Sequence, residues 1–585
     1  MARQYRVVDH IVEHLASVGV THFFGVDGAN IEDLYDAAHF RPDITAVLAK
    51  HEFSAATMAD GYSRSGAGLG VVAATSGGGC LNVVPGLGEA LASRVPVLAL
   101  IGQPPSALDG RGSFQDTSGQ NGALDAEALF SAVSVWCHRV RVADEIGPAL
   151  SRAIAAARSG GPAVLLLPKD IQQAKVNVST GLDGMLTRHQ IGDPQPIARA
   201  LRRAVGPVTI IAGEQVARDD ARDELERLRA MLRARIATVP DAKDTAGTPG
   251  RGSSSALGVT GVMGHPGVAD AIAASGLCLL VGTRLPVTAR TGLDDALASV
   301  PTVSLGSAAP YLPCTHVHTD DLSGSLTLLA VALSGTGRPS GLRVPDSLPH
   351  TELAPPAIDD AGMRYRAAMR VLDGALPDGV DIVVDAGNTG AAAIHYLPVR
   401  RNGRFVVALG MGGMGYSFGA GIGMALGRMT SARAKSRQPS RRTVVIAGDG
   451  AFFMHGMEVH TALQYRLPVT FVLFNNNAHA MCVTREQLFY DDLYSYNRFR
   501  PSNLGAGLAA MFPELLSVDV ADAKDLAAAM RAALSVDGPS VVSVECSADE
   551  IPPFAPFLTA STPKPQSVHN HSIAKEIAHD VVART

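Results

Sequence analysis

Short, fully apolar runs recur along the chain, each ending at a turn and followed by residues at helical spacing. The first set is THFFGV (21–26), LGVVAAT (69–75), VPVLALIG (95–102) and PAVLLLP (162–168). A strand that is apolar on both faces must be covered on both, and helices between successive strands supply that cover. The pattern therefore predicts parallel sheets in an α/β architecture. A second set, PVTIIAG (207–213), ARIATVP (234–240), LCLLVG (277–282) and TVSLG (302–306), follows a linker near 172–195. Proline-rich 338–357 precedes the third set: DIVVDAG (381–387), RFVVALG (404–410), TVVIAGDG (443–450), VTFVLFNNN (469–477) and SVVSVE (540–545). With 585 residues, each set has enough chain for its own core. The expected organisation is three doubly wound parallel-sheet domains over 1–180, 190–340 and 358–550, with a tail of little periodicity over 551–585. Residues 431–442, SARAKSRQPSRR, read as a solvated loop between a helix and a strand.

Charge excludes several functions. Fifty Lys and Arg against 55 Asp and Glu leave a net −5, so no basic nucleic-acid surface is expected. Charged residues make up only 18% of the chain, below the roughly 25% of soluble domains, which points to surface buried between domains or subunits. No apolar run is long enough to cross a bilayer, and the N-terminus lacks the apolar segment of a signal peptide. The six cysteines contain no CxxC pair, against a disulfide framework or a four-thiolate zinc site. A reducing, cytoplasmic setting is expected. Cys314, His316 and His318 alternate along a short stretch that reads as the strand closing the middle sheet.

Chemistry concentrates at strand ends. Gly448-Asp449-Gly450 joins an apolar strand to a helix, and such a turn offers free backbone N–H groups to a phosphate. The next strand ends in Asn475-Asn476-Asn477. A carboxylate with amide oxygens suits Mg²⁺ better than zinc or copper. The segment 410–419, GMGGMGYSFG, matches both G-x-G-x-x-G and G-x-S-x-G. No acid follows between 416 and 448, against a dinucleotide site, and the serine does not follow its strand directly, against a nucleophile elbow.

GDG followed by about two dozen residues and Asn-Asn resembles the cofactor motif of thiamine diphosphate enzymes. The resemblance implies that Asp449, Asn476 and the Ala478 carbonyl hold Mg²⁺, that Gly450 and Ala451 face the diphosphate, and that His479 and Met481 lie in the same cofactor-facing stretch. The segment from His51 through Arg64 resembles the family segment whose glutamate, here Glu52, activates the aminopyrimidine. FGVDG (24–28) and TSGGGCLN (75–82) resemble the loops flanking that ring, implicating Gly25, Val26, Asp27, Thr75 and Asn82. Around Gly412, Met414 resembles the apolar residue that props the cofactor into a bent shape, while Gly387, Asn388 and Thr389 resemble a second diphosphate contact.

The domain order resembles the acetohydroxyacid (acetolactate) synthase and 2-oxo-acid decarboxylase branch. Ser113-Phe114-Gln115-Asp116 resembles the synthase segment in which Phe114 and Gln115 would orient substrate, and the adjacent His-His pair of pyruvate decarboxylases is lacking. Two departures concern the substrate side: Asp27 replaces a proline, and Arg485 replaces a tryptophan that shapes the acceptor pocket. An arginine can bind a carboxylate or phosphate. Residues 258–271 and 281–286 resemble the region that binds FAD in synthases, which makes FAD a candidate cofactor beside thiamine diphosphate and Mg²⁺. The resemblance implies a homodimer or homotetramer that decarboxylates a 2-oxo acid such as pyruvate and transfers the acyl unit to a second carbonyl. Simple decarboxylation to an aldehyde and a non-catalytic relative are the alternatives.

Overall fold

The structure, a computed structural model, describes residues 5–176, 190–246, 256–335, 350–434 and 441–561. Parallel strands form three six-stranded sheets, each covered by helices on both faces. The first contains His22–Val26, Thr45–Leu48, Gly70–Ala74, Val97–Gln103, Trp136–Arg139 and Pro162–Pro168. Numbered along the chain, these lie in the order 2-1-3-4-6-5. The third sheet, Asp381–Val384, Phe405–Val407, Thr443–Gly448, Val469–Asn475, Leu516–Val520 and Ser540–Glu545, has the same order. The middle sheet, from Val208–Ala212 to Thr315–His318, is ordered 3-2-1-4-5-6.

The apolar runs form the central strands, and Gly70–Ala74, Val97–Gln103 and Pro162–Pro168 are buried at every residue. Sequence reading missed the edge strands Thr45–Leu48, Trp136–Arg139 and Leu516–Val520, which are short and partly exposed. Such strands carry little apolar signal. Thr315–His318 closes the middle sheet as expected. Among the described residues no group of three or more metal-ligating side chains is poised to hold an ion.

Two local expectations are corrected. The helix Tyr416–Ala434 continues into the stretch read as a loop, and the stretch read as an aperiodic tail contains the helix Ala555–Ser561. The centre of the basic stretch, most of both linkers and the chain beyond Ser561 lie outside the described residues. No helix of the described residues is long and apolar enough to cross a membrane.

Glycine spacing explains how the outer units meet. On Tyr416–Ala434, Gly419, Gly423 and Gly427 recur every four residues and so line one face. A Cβ at Gly423 would lie 1.9 Å from the Met58 carbonyl oxygen, and one at Gly61 would lie 2.0 Å from that of Ala420. Neither position tolerates a side chain, so this helix contacts Glu52–Arg64 backbone to backbone. Buried ion pairs tie in the middle unit: Arg64 of the first unit to Glu214 at 3.7 Å, and Arg404 of the third to Asp244 and Glu214. At its other boundary His265 stacks on His395, with ring centroids 4.5 Å apart. Burial lowers these imidazoles to about 3 and about 4, so the pair is neutral.

Candidate functional site

Doubly wound sheets bind ligands at the carboxyl ends of the strands where the strand order reverses. In the first unit this is the gap between His22–Val26 and Gly70–Ala74, and in the third the gap between Asp381–Val384 and Thr443–Gly448. The motif residues of each half lie at these two places.

In the third unit, helix Asp449–His455 begins directly at the end of its strand. Asp449 is 1% exposed. Its carboxylate accepts from the backbone N–H of Gly450 at 2.9 Å and of Ala478 at 3.1 Å. The Asn476 side-chain oxygen accepts from the same Ala478 N–H, also at 3.1 Å. Two hard oxygens are thus brought together on one backbone group. Burial pushes the Asp449 carboxyl up to about 7, because two or three backbone N–H groups do not replace the lost water. A divalent cation would supply the missing charge, and the oxygen donors fit Mg²⁺.

Across the gap, Gly387 adopts φ +98° and starts helix Asn388–Tyr396. Both amide atoms of buried Asn388 are without a hydrogen-bond partner, as is His479 Nδ1. Unpaired buried polar atoms are costly; diphosphate oxygens would accept from the Asn388 NH₂ and from His479 Nδ1 in its protonated tautomer, while Asn388 Oδ1 needs a donor or a cation. Thr389 is buried beside Asn388. A Cβ on Gly450 would lie 2.5 Å from His479 Nδ1 and 3.2 Å from the Met414 methyl carbon, so the missing side chain keeps this corner open. Ala451 is buried and Met481 half-buried. Tyr365, which sequence reading missed, lies behind the oxygens and accepts a 3.4 Å bond from the Asn476 amide.

In the first unit, the His51 ring accepts from the Phe53 N–H at 3.1 Å and caps the helix that opens with Glu52. Asn82 donates to the Glu52 carboxylate at 2.9 Å. A Cβ on Gly79 would lie 2.8 Å from the Thr75 methyl and 3.2 Å from that carboxylate, which explains the glycine at 79. Gly25 packs against the Ala73 carbonyl and Tyr35 with no room for a side chain, and Gly28 lies against Thr75. Val26 is half-buried and Asp27 exposed. Asp27 accepts from the N–H of Gly28 at 2.7 Å, so it makes its own turn where a proline is usual.

Gln115 has φ +60°, uncommon for a residue with a side chain. Its side-chain oxygen is held by Asn30, Thr75 and Ser76 at 3.3–3.4 Å. Phe114 beside it is 76% exposed. Arg485 lies exposed on helix Ala480–Phe489.

The Phe53 ring lies 3.3 Å from where a Gly413 Cβ would be, joining the two halves within the chain. The G-x-G-x-x-G match does follow a strand and lead into a helix, but its first N–H groups are taken by Glu89.

Comparison with known proteins agrees with this division. Residues 5–123 match the N-terminal TPP binding domain of thiamine pyrophosphate enzymes, 195–305 the central domain, and 385–544 the C-terminal TPP binding domain. A probable acetolactate synthase large subunit of Methanocaldococcus jannaschii is 27% identical over 507 residues, 82% of each chain. The acetolactate synthase isozyme 2 large subunit of Escherichia coli K12 is 26% identical over 571 residues, covering 94% of this chain and 96% of its own. Acetolactate synthase 2, chloroplastic, of Nicotiana tabacum is 27% identical over 571 residues, 92% and 81% of the two chains.

Proposed function

The chain belongs to the thiamine pyrophosphate enzyme family, with its three domains in order, and on that premise we propose that it is an acetolactate synthase-like carboligase. It decarboxylates a 2-oxo acid, pyruvate first, and couples the remaining acyl unit to a second carbonyl compound. The observation that carries this reading is the convergence of Asp449 and Asn476 on the Ala478 N–H beside the unpartnered atoms of Asn388 and His479.

Thiamine diphosphate, when bound, supplies a nucleophilic carbon and an electron sink for decarboxylation. The protein supplies the rest. Asp449, Asn476 and the Ala478 carbonyl hold Mg²⁺, while Asn388, Thr389 and His479 hydrogen-bond the diphosphate. Met414 fills space beneath the cofactor. Glu52, oriented by Asn82, exchanges a proton with the far ring nitrogen of the aminopyrimidine. Gln115 orients the 2-oxo acid, Phe114 shields it from water, and Arg485 takes the carboxylate of the acceptor.

We further propose that the cofactor lies between Glu52 of one subunit and Asp449 of another in at least a homodimer. Exposed Phe114, Met411, Phe453 and Met454, between 50% and 76% accessible, support a partner surface. Six unpaired cysteines fit a cytoplasmic setting.

FAD has no part in this proposal. In the middle unit, the turn where a dinucleotide's pyrophosphate would meet the backbone is filled by Gln215, 3% exposed, which accepts from the Ser307 N–H at 2.7 Å and donates to the Thr319 carbonyl. Neighbouring Glu214 brings a carboxylate to the same turn. These residues do not fit a diphosphate.

Mass spectrometry of the products from pyruvate, Mg²⁺ and thiamine diphosphate tests the reading. A C–C coupled 2-hydroxy-3-oxo acid is expected as the main product. Aldehyde alone would make the protein a simple decarboxylase, and unchanged pyruvate a non-catalytic relative.

A further inference from the structure

We propose that Glu89 is a positioning residue, which fixes the Met414 segment for catalysis by fastening it to the first unit. The inference rests on the role given to Met414 above. Glu89 lies on helix Gly78–Ala92 and is 2% exposed. One carboxylate oxygen accepts from the Gly410 N–H at 3.2 Å and the Ser93 hydroxyl at 2.7 Å; the other accepts from the N–H groups of Met411 at 2.6 Å and Gly412 at 3.3 Å. Among the described residues no Lys, Arg or His forms an ion pair with it. A buried carboxylate answered by three consecutive backbone dipoles is a fixed, directional anchor.

The other end of the segment is fastened as well. Asp385 accepts from the N–H groups of Gly415 and Ser417 at 2.9 Å each, and the Tyr416 hydroxyl donates to Asp60. Only Gly413 and Met414 lie between the two anchored ends. Asn82, which holds Glu52, is on the same helix seven residues before Glu89. Seven residues make nearly two turns, about 10.5 Å, and return to nearly the same face. One rigid helix therefore sets Glu52 of one site and, in the shared-site dimer proposed above, Met414 of the other.

Glutamine at position 89 preserves the side chain's reach but replaces one acceptor with an NH₂ that faces N–H donors. The test compares the holoenzymes of wild type, Glu89→Gln, Glu89→Ala, Met414→Ala and the Ala/Ala double variant. Steady-state kinetics, calorimetry of Mg²⁺–thiamine diphosphate binding and urea unfolding are measured for each. Misplacement of the segment is expected to lower kcat by roughly 10- to 100-fold in Glu89→Gln, with KM for pyruvate within about threefold. The double variant should be no slower than the slower single variant, because the two residues act as a unit. A kcat unchanged in Glu89→Gln, or independent, multiplying losses in the double variant, would overturn the proposal, even if the unfolding midpoint fell. Wild-type protein that binds no Mg²⁺–thiamine diphosphate would overturn the proposed function and this inference together. Should Glu89→Ala not fold, the isosteric glutamine still decides through its split between kcat and KM.

Discussion

Glu52→Gln is expected to lower turnover of pyruvate by about 10²- to 10⁴-fold, the range removed with a general acid or base. Glutamine matches glutamate in shape and can still accept the Asn82 amide bond that orients position 52. What it cannot do is exchange a proton. Binding of Mg²⁺–thiamine diphosphate should therefore change little, since the contacts proposed for the diphosphate and the metal all belong to the third unit. Unfolding should also change by no more than about 0.5 kcal/mol, because the side chain is only half-buried and keeps its one partner. Steady-state kinetics with calorimetry of cofactor binding makes the check. Turnover within about threefold of wild type would remove Glu52 from the proton transfer.

The second large effect separates binding from stability. Asp449→Ala is expected to weaken binding of Mg²⁺–thiamine diphosphate by at least about 100-fold and to abolish turnover. The metal-free variant should nonetheless be as stable as the wild type or more so. In the free protein Asp449 is a buried carboxylate, and burial, outweighing its backbone hydrogen bonds, pushes its carboxyl up to about 7. Removing such a group removes a desolvation cost. Ligand linkage gives the readout: at 100 times its dissociation constant the cofactor should stabilise the wild type by about 2.7 kcal/mol, and Asp449→Ala hardly at all. Equal thermal shifts in the two proteins would place the metal elsewhere.

The sequence made the central strands and the cofactor motifs legible for one physical reason. Strands buried on both faces must be apolar throughout, and the backbone turns that meet a ligand must be glycine-rich, so both leave strong local patterns. Glu52, Asp449 and Asn476 could be picked out because each lies in such a turn or a recognisable run. Glu89 could not. Its helix reads GLGEALAS, and a glutamate there looks like any solvated one; its partners are N–H groups more than 300 residues away. Asp385, Tyr365 and Asn30 were hidden for a related reason, since their partners lie at least 30 residues away in the chain and meet them only once each unit has folded.

The matched strand order of the first and third sheets was equally invisible. It depends on edge strands such as Thr45–Leu48 and Leu516–Val520, whose half-exposed residues carry almost no pattern. Once seen, it explains why the two halves of the site occupy corresponding switch points. Gln215 was hidden as well, and Gly258 and Gly261, in the stretch that resembles an FAD-binding region, make room for the His265 ring and the Thr288 carbonyl.

If Glu52 and Asp449 of different subunits serve one cofactor, mixing the two inactive variants restores activity. Glu52→Gln and Asp449→Ala subunits, dissociated together and reassociated, form hybrids. In a shared-site dimer, one of the two sites in each hybrid regains both native residues. About a quarter of wild-type turnover is then expected, because half the dimers are hybrids and each has one working site. If instead each chain supplied both residues to its own site, every site would keep one defect. Hybrids no more active than their parents would contradict the claim.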